Sequence, residues 1–364
     1  IKLSEVLLAN NLASNRAMDE WAICRCNLKK LPRISHSLQL LFVLVNLLAI
    51  LIFSRGNCGL SKGVTVYLVA MAAADLMVII TDVILNRINN LYFPVGFLFY
   101  TPVCCFRVVL IATATKSSAW FTVVFTFDRF VAICCQNIKI TYCTAKTAYF
   151  VIAVVTVLNC IQCIPYYFLF SPMTIIKNVQ FYCTLKPTYY TLPIWGVFMW
   201  FNRVFTPIFV FLSIFLFNAL TIRHILTASR VPRRRLRGHI TGDRNRGESD
   251  SDPEMRNRRK SIVLLFAVSN SFILLWMTYV LFYIYWRFSK SYFQNGPLDP
   301  FYIIWQTGYM LQLLSSCTNT CIYAVSQTKF REELNKLKSR NATLYNRFPT
   351  LGLQITGYAR NPIS

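Results

Sequence analysis

Ionisable side chains inside long apolar stretches are the residues of this sequence with the clearest potential for chemistry. Asp75 follows an alanine-rich run, and Lys116 and Arg203 interrupt two other apolar stretches. Asp128 and Arg129 stand side by side near the end of the stretch that also holds Lys116. If these stretches cross a bilayer, an ionisable group is costly unless it is paired or solvated, so each one is a candidate functional residue.

Asp75 allows two interpretations. It is either a buried structural acid that hydrogen-bonds to its neighbours or part of a site for a hard cation. Such ions prefer oxygen ligands, and Ser118, Ser315 and Asn319 are the candidates to complete the site.

The composition indicates which environment these charges occupy. The 364 residues are 55% hydrophobic and only 14% charged, with a mean hydropathy of +0.45, whereas soluble domains carry about 25% charged residues. The net charge is nevertheless +24, so the basic residues must be concentrated in parts of the chain. These values exclude a soluble enzyme, a disordered chain and a disulfide-stapled mini-protein, and they predict a polytopic membrane protein.

Long apolar segments predict seven membrane-spanning helices. A helix needs about 20 mostly apolar residues to cross the hydrocarbon core, and continuous runs favour helices over the alternating strands of a barrel. The predicted spans are 37–54, 63–85, 104–136, 147–176, 192–222, 261–286 and 300–328. We therefore expect an all-α membrane protein, a seven-transmembrane helix bundle over residues 37–328 that follows an extracellular segment, residues 1–36.

The distribution of Lys and Arg predicts the orientation. One set of loops, together with the segment after Thr328, carries 23 basic residues, and the opposite set carries 11. Because cytoplasmic loops are enriched in Lys and Arg, we expect a multi-pass plasma-membrane protein with its N-terminus outside and its C-terminus in the cytoplasm. The third cytoplasmic loop, about residues 223–260, is Arg-rich, which we interpret as a topology signal and an acidic-lipid contact rather than a nucleic-acid patch.

Two of the 13 cysteines are placed to form a bridge on the outer side. Cys104 begins the third predicted span, and Cys183 lies in the outer loop between the fourth and fifth spans. The outside is oxidising, so a disulfide between them is chemically permitted. Cys105 is an alternative partner, and the residues alone do not decide between it and Cys104.

Several motifs resemble those of the rhodopsin-like (class A) G-protein-coupled receptors, and the likeness runs from about residue 37 to residue 338. Asp128-Arg129-Phe130 stands in for Asp-Arg-Tyr, Asp75 fits the aspartate of the second helix, and residues 319–323 are similar to Asn-Pro-x-x-Tyr without its proline. The resemblance implies a receptor, not an enzyme, that relays an extracellular small-molecule or peptide signal to a heterotrimeric G protein. It also favours Cys104 as the partner of Cys183.

The same resemblance implies roles for particular residues. The G-protein switch would comprise Asp128, Arg129, Phe130 and Tyr323. A Na⁺ site would comprise Asp75, Ser118, Ser315 and Asn319, with no other cofactor expected. The activation relay would comprise Ala119, Pro207, Phe272 and Trp276. Residues 329–338 would form a short amphipathic eighth helix on the inner leaflet, and residues 339–364 a disordered cytoplasmic tail.

Within the class, four segments are most similar to G-protein-coupled receptor 139 and its close relatives: 68–76, 117–133, 164–167 and 318–331. Those relatives are peptide- or amino-acid-type receptors that couple mainly through Gq. The implied partners are therefore a heterotrimeric G protein, an unidentified extracellular ligand, the lipid bilayer, arrestin and a receptor kinase, and no nucleic acid.

Basic and aromatic residues predict a ligand pocket in the outer half of the bundle. Its candidates are Arg107, Ile111, Lys116, Arg203, Tyr279, Tyr283 and Tyr309. Ile111 occupies the place where amine receptors carry an aspartate, so the pocket favours an anionic group on a hydrophobic ligand over an amine. The alternative is that Arg107 extends outward to the interface, that Lys116 and Arg203 bond to carbonyls or water, and that the aromatic residues only pack.

Two other functions compete with a ligand-gated receptor. A ligand-independent or degenerate receptor-like protein is favoured by Phe215, which replaces a tyrosine of the family, by Thr278, which replaces a proline of the sixth helix, and by Arg258, which replaces an acid that often holds Arg129. A polytopic transporter would require inverted repeats or paired broken helices, and the sequence contains neither.

The predicted orientation can be tested with epitope tags. A tag at the C-terminus of the full chain, expressed in cells, should bind antibody only after the plasma membrane is permeabilised, whereas an N-terminal tag should bind on intact cells. Antibody binding to both tags on intact cells would contradict an odd number of spans.

Overall fold

A computed structural model of the protein describes residues 41–55, 58–88, 96–176, 178–237, 253–289, 300–326 and 328–347. Within these ranges the chain is almost entirely helical. The predicted extracellular segment 1–36 and the last residues of the predicted tail lie outside the described residues.

Helices account for most of the described chain. In order they are α1 (Leu41–Ser54), α2 (Lys62–Val78), α3 (Thr101–Cys134), α4 (Gln136–Tyr142), α5 (Ala145–Cys163), α6 (Pro165–Phe168), α7 (Thr188–Thr191), α8 (Pro193–Trp200), α9 (Thr206–Arg237), α10 (Pro253–Ser289), α11 (Pro300–Ser326) and α12 (Thr328–Arg347). A 3₁₀ turn, Phe97–Phe99, precedes α3. Among the described residues, five helical segments are long and apolar enough to cross a membrane, and α1 is a shorter apolar helix.

Local sequence explains where several helices begin. The Ser61 side chain accepts a hydrogen bond from the Val64 backbone N–H at the start of α2, and Thr144 caps α5 through the Thr147 N–H. These caps satisfy backbone donors that have no partner inside the helix. Prolines at the first positions of α3, α6 and α8 begin helices where a backbone N–H is not needed.

Two spans change to π-helical geometry in their outer halves. Residues Ile79–Ile88 continue α2, and Phe201–Phe205 join α8 to α9. A π-helical turn rotates the residues that follow it relative to an uninterrupted α-helix and often occurs at functional sites. The second of these segments contains Asn202 and Arg203, and the first contains Asp82.

α3 lies at the centre of the bundle, where it packs against α2, α5, α9 and α10. The core around it is apolar and includes fully buried Leu68, Phe125 and Leu265. α12 packs onto the cytoplasmic end through Phe330, whose ring centroid is 5.3 Å from that of Phe53.

The outer loop between α6 and α7 forms two small antiparallel ladders. Strand β1 (Phe170–Ser171) pairs with β4 (Thr184–Leu185), and β2 (Thr174–Ile176) pairs with β3 (Val179–Phe181). The disulfide Cys104–Cys183 fixes the loop to the start of α3, with a Cα–Cα distance of 6.0 Å. The predicted pairing is confirmed, and Cys105 is a free, buried cysteine.

Three predicted boundaries differ from the structure. The fourth span was expected over 147–176 with Pro165 as a kink or end; α5 does end at Cys163, just before Pro165, which lacks the N–H that would continue it, and the helical span as a whole ends at Phe168. The expected third loop, 223–260, is largely helical at both ends, since α9 reaches Arg237 and α10 begins at Pro253. The eighth helix was expected over 329–338, yet α12 continues to Arg347, so the predicted disordered tail is wrong for 339–347. No Gly or Pro occurs in α12 before Pro349 to stop it.

The disulfide predicts a difference between two adjacent cysteines. Cys104→Ser should lower the thermal stability of the purified protein, because loss of a native bridge costs about 2–4 kcal/mol, whereas Cys105→Ser should leave the bridge intact. Tm measurements with and without reductant would test this. Equal destabilisation by both variants, or a Cys104→Ser protein still sensitive to reductant, would contradict it.

Candidate functional site

A cavity of about 370 Å³ opens in the outer half of the bundle. The π-helical part of the second span, α3, the fifth and sixth spans and α11 line it. Five of the seven predicted pocket residues contribute to its wall: Ile111, Lys116, Arg203, Tyr279 and Tyr309.

Lys116 and Arg203 are held in the wall by neutral partners. Lys116 donates to the side-chain carbonyl of Asn202 and lies 5.9 Å from the ring centroid of Tyr166. Arg203 donates to the Tyr279 hydroxyl, and its guanidinium is 5.8 Å from the ring centroid of Tyr283. No carboxylate among the described residues forms an ion pair with either base, although Asp82 lines the same cavity.

Arg107 is not part of the cavity wall, contrary to the prediction. It is 7% exposed and donates to the Leu85 carbonyl at 3.0 Å and to Cys104 Sγ at 3.5 Å. Its guanidinium also lies 5.7 Å from the Phe99 ring centroid. These contacts hold the Arg107 side chain against the N-terminal end of α3, so it does not extend outward to the interface. Tyr283 likewise lies behind Arg203 rather than on the wall.

Polar residues that were not predicted from the sequence also line the cavity, among them Asp82, Asn86, Asn202 and Gln312. Asp82 is 5% exposed and accepts a hydrogen bond from Asn86 Nδ2 at 3.2 Å. The signal for Asp82 was present, since it is the second acid inside the second span. The direction of the Asp82 side chain depends on the π-helical turns, which the sequence pattern does not predict.

Below the cavity, Asp75 is the centre of a buried group of polar side chains. It is 1% exposed, Ser118 Oγ donates to it at 2.5 Å, and Asn319 Nδ2 donates at 2.9 Å. Ser316 is its third hydrogen-bonding partner, and no basic side chain among the described residues pairs with it.

The predicted Ser315 makes a different contact. Its hydroxyl accepts from Trp276 Nε1 at 2.9 Å and donates to the Gln312 carbonyl. The neighbouring Ser316 thus takes the position beside Asp75 that was expected for Ser315. The oxygens of Asp75, Ser118 and Ser316 fit a hard monovalent cation, which would supply the positive charge that the carboxylate lacks.

The four predicted relay residues lie together between the cavity and the lower half of the bundle. Ala119, Phe272 and Trp276 belong to one buried apolar cluster with Val210, and the ring centroids of Phe272 and Trp276 are 5.0 Å apart. Pro207 is buried and lines the cavity with Trp276. A ligand that displaces Trp276 would therefore disturb this cluster directly.

The cytoplasmic end of α3 carries the predicted switch. Arg129 donates through Nε to Asp128 Oδ2 at 3.1 Å and pairs with the same oxygen through a second nitrogen. Phe130 stacks on Phe217 with ring centroids 5.8 Å apart. Tyr323 belongs to α11, but its side chain lies outside the described residues.

The loop after α3 also contacts the switch. The Cys143 thiol donates to the Asp128 carbonyl at 3.7 Å. Burial and the negative charge of Asp128 raise the pKa of Cys143 to about 11, so the thiol remains protonated and able to donate at physiological pH.

A second contact holds the sixth span against α3 at this level. Thr126 Oγ1 and Ser269 Oγ are 3.3 Å apart, and both residues are fully buried. This pair joins α3 to α10. Any outward movement of the cytoplasmic half of α10 must break it.

These observations describe a bundle of apolar helices with a cavity at one end and the Asp128–Arg129 pair near the other. A family model described as 7 transmembrane receptor (rhodopsin family) matches residues 45–323. The chain belongs to this family. The predicted seven-helix fold and the class A assignment are confirmed: the protein is a multi-pass membrane receptor of the G-protein-coupled class, not an enzyme.

The Thr126–Ser269 pair predicts the effect of a single hydroxyl on basal activity. Ser269→Ala should raise agonist-free second-messenger output about fivefold, because a hydrogen bond between neutral groups contributes about 1 kcal/mol to the resting state. Ser271→Ala is the matched control, since its hydroxyl bonds only to the Val268 carbonyl of the same helix in the described structure. Unchanged basal output in Ser269→Ala, at equal surface expression, would contradict the role of the pair.

Proposed function

We propose that the receptor binds a hydrophobic extracellular ligand carrying an anionic group, with Arg203 and Lys116 as the residues that receive the anion. The observation that carries this proposal is the pair of cavity-facing bases bonded only to neutral groups. A buried or half-buried positive charge without an ion-pair partner is unfavourable, and an incoming carboxylate would form charge-assisted hydrogen bonds with both bases. The aromatic residues around them, Tyr279 and Tyr309, would cover its apolar part.

Signalling would follow as a shift between two populations of the bundle. The ligand favours the state in which Trp276 and Phe272 repack against Pro207 and Ala119. The cytoplasmic half of α10 then moves away from α3, and Arg129 leaves Asp128. The opened surface binds a heterotrimeric G protein, which on the orientation proposed here lies on the side of the C-terminus.

The finer assignments rest on the sequence resemblance. Similarity to G-protein-coupled receptor 139 and its relatives favours coupling through Gq, and the cytoplasmic side would also bind arrestin and a receptor kinase. An aromatic amino acid is less well supported as the ligand, because Ile111 and Tyr279 stand where the resemblance to those relatives implies an acid and a base.

A ligand-independent receptor is the second candidate. Arg258 supplies no acid to hold Arg129, so the resting state would lack one polar contact that is common in the family. High output from the unliganded receptor that no compound increases would favour this candidate.

A calcium and cAMP screen of the full chain in cells tests the proposed function. It should include hydrophobic carboxylic acids, aromatic amino acids and small peptides, each acid beside its methyl ester, with Arg129→Ala as the inactive control. We expect an acid to activate and its ester to be at least about tenfold weaker, since a hydrogen-bonded charge contributes about 1.5–3 kcal/mol.

Two variants separate the pocket from the switch. Arg203→Ala should remove the preference for the acid while leaving agonist-free output in place, and Arg203→Lys should retain part of that preference. If Arg203→Ala leaves the response to every carboxylate unchanged, the proposed anion site is wrong, whatever the signalling class.

A further inference from the structure

Asn218 of α9 has a buried side chain whose carbonyl oxygen accepts no hydrogen bond among the described residues. The residue is 6% exposed, and its Oδ1 atom has no hydrogen-bond partner among the described residues. A buried carbonyl oxygen left without a donor destabilises the state in which it is found. Such an atom is explained most directly by a donor that reaches it in another conformation.

The positions around Asn218 show where it faces. Ile214, Asn218 and Thr221 are buried at spacings of four and three residues, which defines one face of α9. Ile214 packs in the cluster that contains Val123 of α3, and Thr221 hydrogen-bonds to Cys134 at the end of α3. Asn218 therefore lies against α3 between the levels of Val123 and Cys134.

Ring contacts of the neighbouring residue locate Asn218 more closely along α3. Phe217, the residue before Asn218, has its ring centroid 5.1 Å from that of Phe127 and 5.8 Å from that of Phe130. Arg129 lies between these two phenylalanines in the chain, and its side chain is 12% exposed.

The chemistry of the two groups is complementary. A guanidinium carries five N–H donors and no acceptor, whereas the Asn218 Oδ1 atom only accepts. In the described structure Arg129 uses Nε and one terminal nitrogen on Asp128. The residue one turn earlier on α9, Phe215, offers no polar atom and is 69% exposed.

We propose that Asn218 Oδ1 is the acceptor that receives Arg129 when the arginine leaves Asp128. Asn218 is then a positioning residue: it holds the released guanidinium toward α9 and stabilises the state that binds the G protein. This inference rests on the proposed function, because it requires Arg129 to change partners during signalling.

The test uses the purified full chain in lipid nanodiscs without any ligand. Nucleotide exchange on purified heterotrimeric G proteins reports the active state, and Tm reports the resting state. Asn218→Leu should lower exchange about tenfold, the effect of losing one hydrogen bond to a charged group, with a Tm equal to or above that of the wild type. Asn218→Asp should keep exchange at or above the wild-type rate because the acceptor remains.

Two further variants act as controls. Thr227→Val removes a hydroxyl on the same helix that donates to the Arg223 carbonyl, and exchange should not change. Phe215→Tyr places a hydroxyl on the exposed face and should not restore exchange to an Asn218→Leu protein.

The outcomes distinguish the inference from the function on which it rests. Exchange no higher than that of Arg129→Ala, both in the wild type and in the Ser269→Ala variant that should raise basal output, would overturn this inference, whereas the proposed anion site would still be judged by the Arg203 variants. Wild-type exchange that Asn218→Leu leaves unchanged would overturn the inference alone. A lower Tm together with lower exchange in Asn218→Leu would also overturn it, because the amide would then be needed by the resting fold.

Discussion

The Asp75 carboxylate places a strict requirement on the interior of this bundle. A charge at that depth has no water to solvate it, so the surrounding helices must satisfy it with their own polar groups. Ser118, Asn319 and Ser316 do so from α3 and α11. Asn46 of α1 then bonds to the Ser316 carbonyl at 2.9 Å, so four helices are held in register around one acid.

This group of side chains is also the floor of the outer cavity. Ser118 and Ser316 line the cavity as well as contacting Asp75, and Trp276 reaches the same layer through Ser315. A ligand that moves Trp276 would therefore change contacts shared by α3, α10 and α11. Further down α3, Thr126 contacts Ser269 of α10, and Asp128 pairs with Arg129. We propose that these contacts connect the cavity to the switch.

Sequence reasoning found the residues whose chemistry is unusual for their surroundings. Asp75 and the Asp128–Arg129 pair stand out because charge inside an apolar span needs an explanation, and the Cys104–Cys183 bridge followed from position and resemblance. The directions in which individual side chains point could not be predicted in this way. Whether Ser315 or Ser316 faces Asp75 depends on the rotation of α11, and the inward direction of Asp82 depends on π-helical turns. Arg107 was misplaced because length alone does not show whether a long side chain folds back onto its own helix end.

The sodium dependence of thermal stability tests the central claim most directly. If the Asp75 carboxylate requires a cation in the resting bundle, NaCl should raise the Tm of the purified receptor above its value in N-methylglucamine chloride of equal ionic strength, since a ligand that binds only the folded state stabilises it by mass action. Asp75→Asn should abolish this difference. An equal response to sodium in the wild type and in Asp75→Asn, or no response in the wild type, would contradict the account.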